Sequence, residues 1–162
     1  MDRENNLNSY NPILFMPEKL GLRPATITIH NGKVLMVCSK YPDGDYYLFP
    51  GGGMEFGETI EQTAIRETLE ETGVKIKIKD IFHINEYINN KDWNERSISI
   101  FFLAEVEEIG EPLTNDSGKI KDIVWIDIKD LNKYDVKPSR MIELLQNLEK
   151  PHKIYSIDFK NN

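Results

Sequence analysis

The sequence predicts an α/β (α+β) fold, an α/β/α sandwich around a mixed β-sheet, on three observations. β-prone runs stand before, between and after two helical segments. One of those helical segments, near residues 60–72, carries a full set of start and stop signals. A chain of 162 residues with 40% hydrophobic side chains has the length and composition to bury one core, and two full domains are not expected at that length.

Residues 1–23 are polar, Asn-rich and punctuated by Pro12 and Pro17, and they are expected to form an N-terminal arm or extension before a domain over 24–162. Ala25–Ile29 alternates, His30-Asn31-Gly32 is turn chemistry and Lys33–Cys38 is β-prone, so a tight antiparallel hairpin is expected. Tyr46–Phe49 is a short strand running into Pro50-Gly51-Gly52-Gly53, where glycines permit close backbone approaches. Thr59-Ile-Glu-Gln62 reads as a capping box and Gly73 as a left-handed C′ residue, which sets a helix at about 60–72. Lys75–Lys79 alternates strictly within a strand region 74–88, and Ser97–Val106 is a long β-prone run. Residues 107–120, with Gly110, Pro112 and Gly118, form a long loop; Ile123–Ile128 is a further strand. Apolar residues at Met141, Ile142, Leu144, Leu145 and Leu148 mark a second, amphipathic helix, and Ile154–Phe159 a last strand.

With 20 Lys and Arg against 27 Asp and Glu, the net charge is −7, which disfavours wrapping a nucleic-acid polymer through a general basic surface. The N-terminus lacks an apolar secretory core and no apolar run is long enough to span a bilayer, so a cytoplasmic location is expected. Cys38 is the single cysteine and is expected to be a small buried hydrophobe.

The first helix holds the chemistry. At about 100° per residue, Glu70 and Glu71 fall on either side of Glu67, so three carboxylates project from one face while Ile65 and Leu69 are expected to point to the core. Like charges at i,i+3 and i,i+4 destabilise a helix by about 0.2–0.5 kcal/mol each, and anions at its C-terminal end oppose the macrodipole. Arg66 offsets only part of this charge. Taken alone, such a pattern is most often a solvated face. The neighbouring glycine loop and the abrupt stop at Gly73 favour instead a site for Mg²⁺ or Mn²⁺, hard cations that take carboxylate oxygens and leave room for water and phosphate.

The segment from Gly52 through Glu58, Arg66-Glu67-Thr68-Leu69-Glu70-Glu71-Thr72-Gly73 and Val74 resembles the signature box of the Nudix hydrolase (MutT-like) family. Every fixed position is present, and the departure is Thr68, where the pattern usually has an aliphatic residue. The box covers 23 of 162 residues, and the order of strands and helices around it also looks like a Nudix-type α/β/α sandwich. The stretch does not read as a P-loop, because no Gly-Lys-Ser/Thr follows.

The resemblance implies Mg²⁺-dependent hydrolysis of a nucleoside diphosphate linked to another moiety, by attack of water on phosphorus. Glu67, Glu70 and Glu71, with Gly52 through its carbonyl, would be the metal ligands; Glu58 and Arg66 would form a supporting ion pair; Glu67 or Glu70 is a candidate base, as is a carboxylate outside the helix. The alternative is a nucleotide-sensing domain of the same family that binds without cleaving and regulates a partner.

Substrate contacts are expected from aromatics near the glycine loop and the 86–96 region: Phe49, Tyr47, Tyr87 and Trp93. Glu86, Asp92, Glu95, Glu111 and Asp116 are candidates for an extra ligand or base, and Arg23 and Arg96 for a phosphate clamp, although each singly is better read as a surface charge. His30, His83 and His152 lack metal partners at useful spacing and are read as structural or exposed, and Trp125 as packing. The first proline after Val74 is Pro112, so the mark of the ADP-ribose-preferring subgroup is missing; nucleoside triphosphates and other small nucleotide derivatives are the expected substrates. The N-terminal arm is a candidate for completing a homodimer.

Overall fold

The computed structural model describes residues 19–42, 44–89, 95–113 and 120–160. Its elements run β1 (Lys19–His30), β2 (Lys33–Tyr41), β3 (Gly44–Leu48), α1 (Ile60–Thr72), β4 (Val74–Asn89), β5 (Glu95–Ile109), β6 (Ile120–Asp127), a 3₁₀ helix (Ile128–Lys133), β7 (Val136–Lys137), α2 (Arg140–Gln146) and β8 (Tyr155–Lys160). The strands form one mixed sheet in the order β7-β3-β2-β1-β5-β4-β8, with β6 paired to β2. β1 lies parallel to β5, and β4 parallel to β8, while β4 and β5 are antiparallel.

The β1–β2 hairpin pairs His30 with Lys33, and both Asn31 (φ 50°) and Gly32 (φ 72°) have positive φ, the combination a two-residue type I′ turn requires. β1 begins at Lys19, six residues before the expected Ala25. Its pairing with β5 from Lys19↔Glu95 to Thr28↔Ala104 is a tertiary contact that local alternation does not reveal.

Each sheet face has its own packing. Ala25 and Phe101 point to the α2 side, where Phe49, Ile126, Leu131, Met141 and Leu145 complete the main core. Ile100 and Phe102 point to the other side, under Ala64 of α1. Burying a large apolar side chain is worth about 1.5–3 kcal/mol, so the α2 side supplies most of the hydrophobic stabilisation.

The face that α1 turns to the sheet corrects the sequence expectation. Its buried residues are Thr63, Ala64, Thr68 and Thr72, whereas Ile65 is 37% exposed and Leu69 only half-buried. Threonine hydroxyls are tolerated there because they are paired. Thr68 Oγ1 donates to the Ala64 carbonyl (2.8 Å) and stands 2.7 Å from Thr26 Oγ1. A hydroxyl has one proton, and Thr68 has already committed its own, so Thr26 donates to Thr68; Thr28 in turn donates to Thr26 at 3.3 Å. Thr72 Oγ1 donates to the Thr68 carbonyl at 2.6 Å. The result is a directed hydroxyl chain from β1 into α1 that holds the helix in one register on the sheet.

Candidate active site

α1 starts and stops where its caps place it. Thr59 accepts from the Gln62 amide (3.2 Å) and the Gln62 side chain accepts from the Thr59 amide (2.8 Å), a reciprocal capping box. Gly73, at φ 72°, donates to Leu69 O at 2.8 Å. Gly110 N donates to Gly73 O and Leu113 N to Glu70 O, at 2.9 and 3.1 Å, so the segment after β5 satisfies carbonyls at the helix end. A Cβ on Gly73 would stand 2.3 Å from the Glu111 backbone carbon. Only glycine lets that segment pass.

The glycine loop runs along β1 on the edge away from β5. Ala25 and Gly51 form an antiparallel bridge, Thr26 N donates to Pro50 O at 2.9 Å, and Gly52 N donates to Pro24 O at 3.2 Å. Arg23 secures the loop from below, donating through Nη2 to Phe49 O (2.8 Å) and Gly51 O (2.9 Å). The Gly51 amide donates to Glu71 Oε2 at 3.0 Å, so loop and helix face each other across the acidic residues.

Arg66 is the hub of those residues. Its Nε and Nη2 form a fork on Glu58 at 2.6 and 3.0 Å, its Nη1 donates to Glu67 Oε1 at 2.8 Å and Glu70 Oε2 at 3.1 Å, and Nη2 also reaches Gly53 O at 3.1 Å. Glu58 additionally accepts from the Glu55 amide (3.0 Å) and the Thr63 hydroxyl (2.8 Å). The guanidinium, then the Glu55 amide and the Thr63 hydroxyl, hold the Glu58 carboxyl down to about 2 from its usual 4.5. The same bond to Glu58, followed by those to Glu67 and Glu70, pushes Arg66 further above its already high value. Both groups stay charged throughout the physiological range, and their fork is a fixed strut between loop and helix.

The residues present suit a divalent cation. A Cβ on Gly52 would stand 2.5 Å from the Glu67 carboxylate, so the absence of a side chain there lets the loop backbone and a carboxylate share one small volume. Glu67, Glu70, Glu71 and the Gly52 carbonyl offer hard oxygens, the donor type such a cation takes. Among the described residues, no three His, Cys, Asp or Glu side chains already stand as a metal-ligand group, and Arg66 supplies the compensating charge to Glu67 and Glu70.

The candidate substrate contacts divide. Phe49 is wholly buried, edge-on to Phe101 with centroids 5.4 Å apart, so its ring belongs to the core and the expectation that it stacks on a substrate is corrected; its carbonyl serves the loop through Arg23. Tyr47 is half-buried edge-on to Tyr134 at 4.9 Å and packs on the same core. Tyr87 lies half-buried on β4, and Trp93, Asp92 and Asp116 lie outside the described residues. Glu86 is buried under Arg96 and Tyr155, which hold its carboxyl below the usual range, Tyr155 most strongly, so it is committed to that cluster. Glu111 is exposed beside the end of α1, where its backbone packs on Gly73. Cys38 is buried as expected, and Trp125 packs on the cluster around Leu35 and Val74. The Thr63 hydroxyl and the Gly51 amide are site partners that sequence reasoning missed. Thr63 could have been found, since it lies five residues beyond Glu58; the Gly51–Glu71 contact is long-range and leaves no local signal.

A mixed sheet between two helices, with a capped acidic helix facing a glycine loop, is an architecture shared with a known family of domains. The model of the NUDIX domain matches residues 22–148, and the chain belongs to that family. Among curated proteins, it is 30% identical over 130 residues to an ADP-ribose pyrophosphatase of Methanocaldococcus jannaschii, covering 77% of this chain and 75% of the relative. It is 26% identical over 117 residues to the Nucleoside diphosphate-linked moiety X motif 6 protein of Xenopus laevis, covering 72% of this chain but 54% of that one. The chain thus spans about half the length of that relative. A solved NUDIX hydrolase from Nitrosomonas europaea shares the fold, with a TM-score of 0.67 at 20% identity over 81% of this chain and 89% of that one.

Proposed function

We propose that the chain hydrolyses the diphosphate linkage of a nucleoside diphosphate joined to another moiety, with Mg²⁺, or Mn²⁺ in its place, held by Glu67, Glu70, Glu71 and the Gly52 carbonyl. The observation that carries this reading is the gap in the glycine loop at Gly52: a Cβ there would meet the Glu67 carboxylate at 2.5 Å. A solvated acidic face has no use for a backbone held so close. A cation held by these residues would offset the negative charge of the diphosphate and the charge that develops on the leaving group.

The chain's own groups do the rest. The Glu58–Arg66 fork fixes the loop against the helix, and the Gly51 amide orients Glu71. Arg66 keeps that fork on Glu58 while its Nη1 contacts with Glu67 and Glu70 are the ones to be released. Glu67 or Glu70 supplies the acceptor for the proton of the attacking water. The setting proposed is cytoplasmic.

The test is to incubate the full chain with Mg²⁺ and a panel of nucleoside triphosphates, dinucleotides and nucleoside diphosphate sugars, and to resolve products by anion-exchange chromatography. The expected outcome is cleavage of at least one diphosphate linkage, abolished by a chelator and restored by Mg²⁺ or Mn²⁺. Intact substrates across the panel with both ions would overturn the proposal.

A further inference from the structure

The two ends of the sheet are finished differently. At one end stands β7, which is two residues long and is followed at once by Pro138, so it offers another strand almost nothing to pair with. At the other end β4 runs for 16 residues, and β8 pairs only with its residues 84–89. Along the stretch of β4 that β8 leaves uncovered, Lys75, Lys77 and Lys79 alternate. There the register against β5 also shifts between Lys75 and Ile76, between Ile78 and Asp80, and between Ile81 and His83. Lysines and bulges are the devices that keep an open edge from pairing with another chain.

β8 lacks them along its middle. Residues 152–160 hold no proline or glycine, and the pairing with β4 runs from Ile84↔Tyr155 to Asn89↔Lys160 without a shift. Lys153 and Lys160 stand at the two ends, with Asp158 the one charge between them. Ile154, Tyr155 and Ile157 are 57%, 48% and 38% exposed. The backbone is open as well. Ile84 N donates to Ile154 O at 2.6 Å, which turns the peptide groups of Ile154, and by the alternation of a strand those of Ser156 and Asp158, inward to β4. The N–H and C=O of Tyr155 and Ile157 therefore point outward, where no strand lies beside them among the described residues. Tyr155 is held in place, because its hydroxyl donates to one oxygen of Glu86 while Arg96 pairs with the other. A ring already fixed loses little freedom when a partner covers it.

We propose that β8 is the contact between two copies of this chain, paired antiparallel across a two-fold axis normal to the sheet. The edge matches itself. With the axis at Ser156, Tyr155 of each copy stands opposite Ile157 of the other, and each such pair exchanges two backbone hydrogen bonds. An aromatic residue opposite a β-branched one is a favourable cross-strand pair, and symmetry supplies it twice. In this register Asp158 falls opposite Ile154 and Lys153 opposite Phe159, so these charges are not set against their like. The arrangement closes after two copies, since the far end of each sheet is the blunted β7. The contact is small: one pair of six-residue strands lies at the low end of interface sizes, and a Kd of about 1–100 µM is expected. It does not depend on the hydrolytic reading.

The test uses the full chain. Sedimentation velocity from about 1 to 300 µM reads the association, and amide hydrogen exchange followed by NMR at both ends of that range reads the edge. The expected result is a monomer–dimer equilibrium in which the Tyr155 and Ile157 amides slow by about tenfold or more on concentration. Ile157→Pro removes an outward N–H and spares the inward bonds to β4, and Ile157→Lys keeps the N–H but adds the kind of charge that guards β4. Both variants should keep the parent's circular dichroism and weaken association by about tenfold or more; if Ile157→Pro fails to fold, Ile157→Lys decides. A parent that stays monomeric to about 300 µM would overturn the proposal. So would a dimer that survives undiminished in the folded variants, which would place the interface elsewhere. Tyr155 and Ile157 amides equally slow at every concentration would overturn it too, because the edge would then be covered within one chain.

Discussion

Gly52→Ala isolates the chemistry of the loop from its stability. The added Cβ would lie 2.5 Å from the Glu67 carboxylate, whereas comfortable carbon contacts begin at about 3.5 Å, so roughly 1 Å of displacement is required. What must move is the far end of a flexible side chain. Gly52 is not among the glycines with positive φ, so the backbone is not strained. The melting temperature should therefore stay within about 2–4 °C of the parent, the shift expected for 1 kcal/mol in a chain of this size. A misplacement of about 1 Å at a reacting centre costs on the order of 10²-fold in rate, or about 2.7 kcal/mol of transition-state stabilisation. Initial rates with the cleaved nucleotide at several Mg²⁺ concentrations read both kcat/KM and the apparent ion affinity, and both should worsen. If Gly52→Ala kept kcat/KM within about threefold at unchanged Mg²⁺ dependence, the packing of Gly52 on Glu67 would have no catalytic meaning and the reasoning would fail.

Other expectations follow from the same geometry. Glu70→Gln and Glu71→Gln should each lower kcat by about 10²-fold or more while circular dichroism spectra remain those of the parent, because both side chains lie at the partly open face of α1; parental turnover in both would remove the acidic helix from the mechanism. Thr68→Val strands the Thr26 hydroxyl in a fully buried place and should cost about 1–3 kcal/mol in urea denaturation, whereas Thr26→Val with Thr68→Val should cost less than the two singles summed; strict additivity would contradict the hydroxyl chain. Because the Glu58 carboxyl is held at about 2 in the folded state against 4.5 ordinarily, its stabilising effect is full above pH 4.5 and lost as pH falls towards 2. Glu58→Gln should therefore melt lower than the parent at neutral pH and converge with it in acid, and a constant gap across that range would refute the assignment.

The parts of this structure legible in the sequence are those specified locally. The capping box and Gly73 place α1 at Ile60–Thr72, since each cap acts within four residues of its partner. Asn31-Gly32 likewise dictates its own hairpin. The three acidic positions, Gly52 and the Glu58–Arg66 pair are readable as a spacing, and the last is observed as a fork. Long-range pairing was not legible: the start of β1 at Lys19 depends on β5, and the open edge of β8 exists only once that strand aligns with β4. The inward face of α1 was misread because Ile65 and Leu69 are the more apolar residues, while Thr68 and Thr72 are buried by pairing their hydroxyls. Phe49 was misread for a related reason: position beside a loop says nothing about which way a ring turns, and the neighbouring Phe101 draws it inward.

The contacts of Arg66 with Glu67 and Glu70 separate folding from ion supply. In small zinc-dependent domains the apoprotein is unfolded because nothing else neutralises the ligands. Here an internal monovalent charge already offsets part of the repulsion, so the newly synthesised chain is expected to reach its native state before any cation arrives. Chelation should then silence the protein and leave it folded, and re-addition should restore it within the time of ion diffusion and side-chain rearrangement, without a refolding delay.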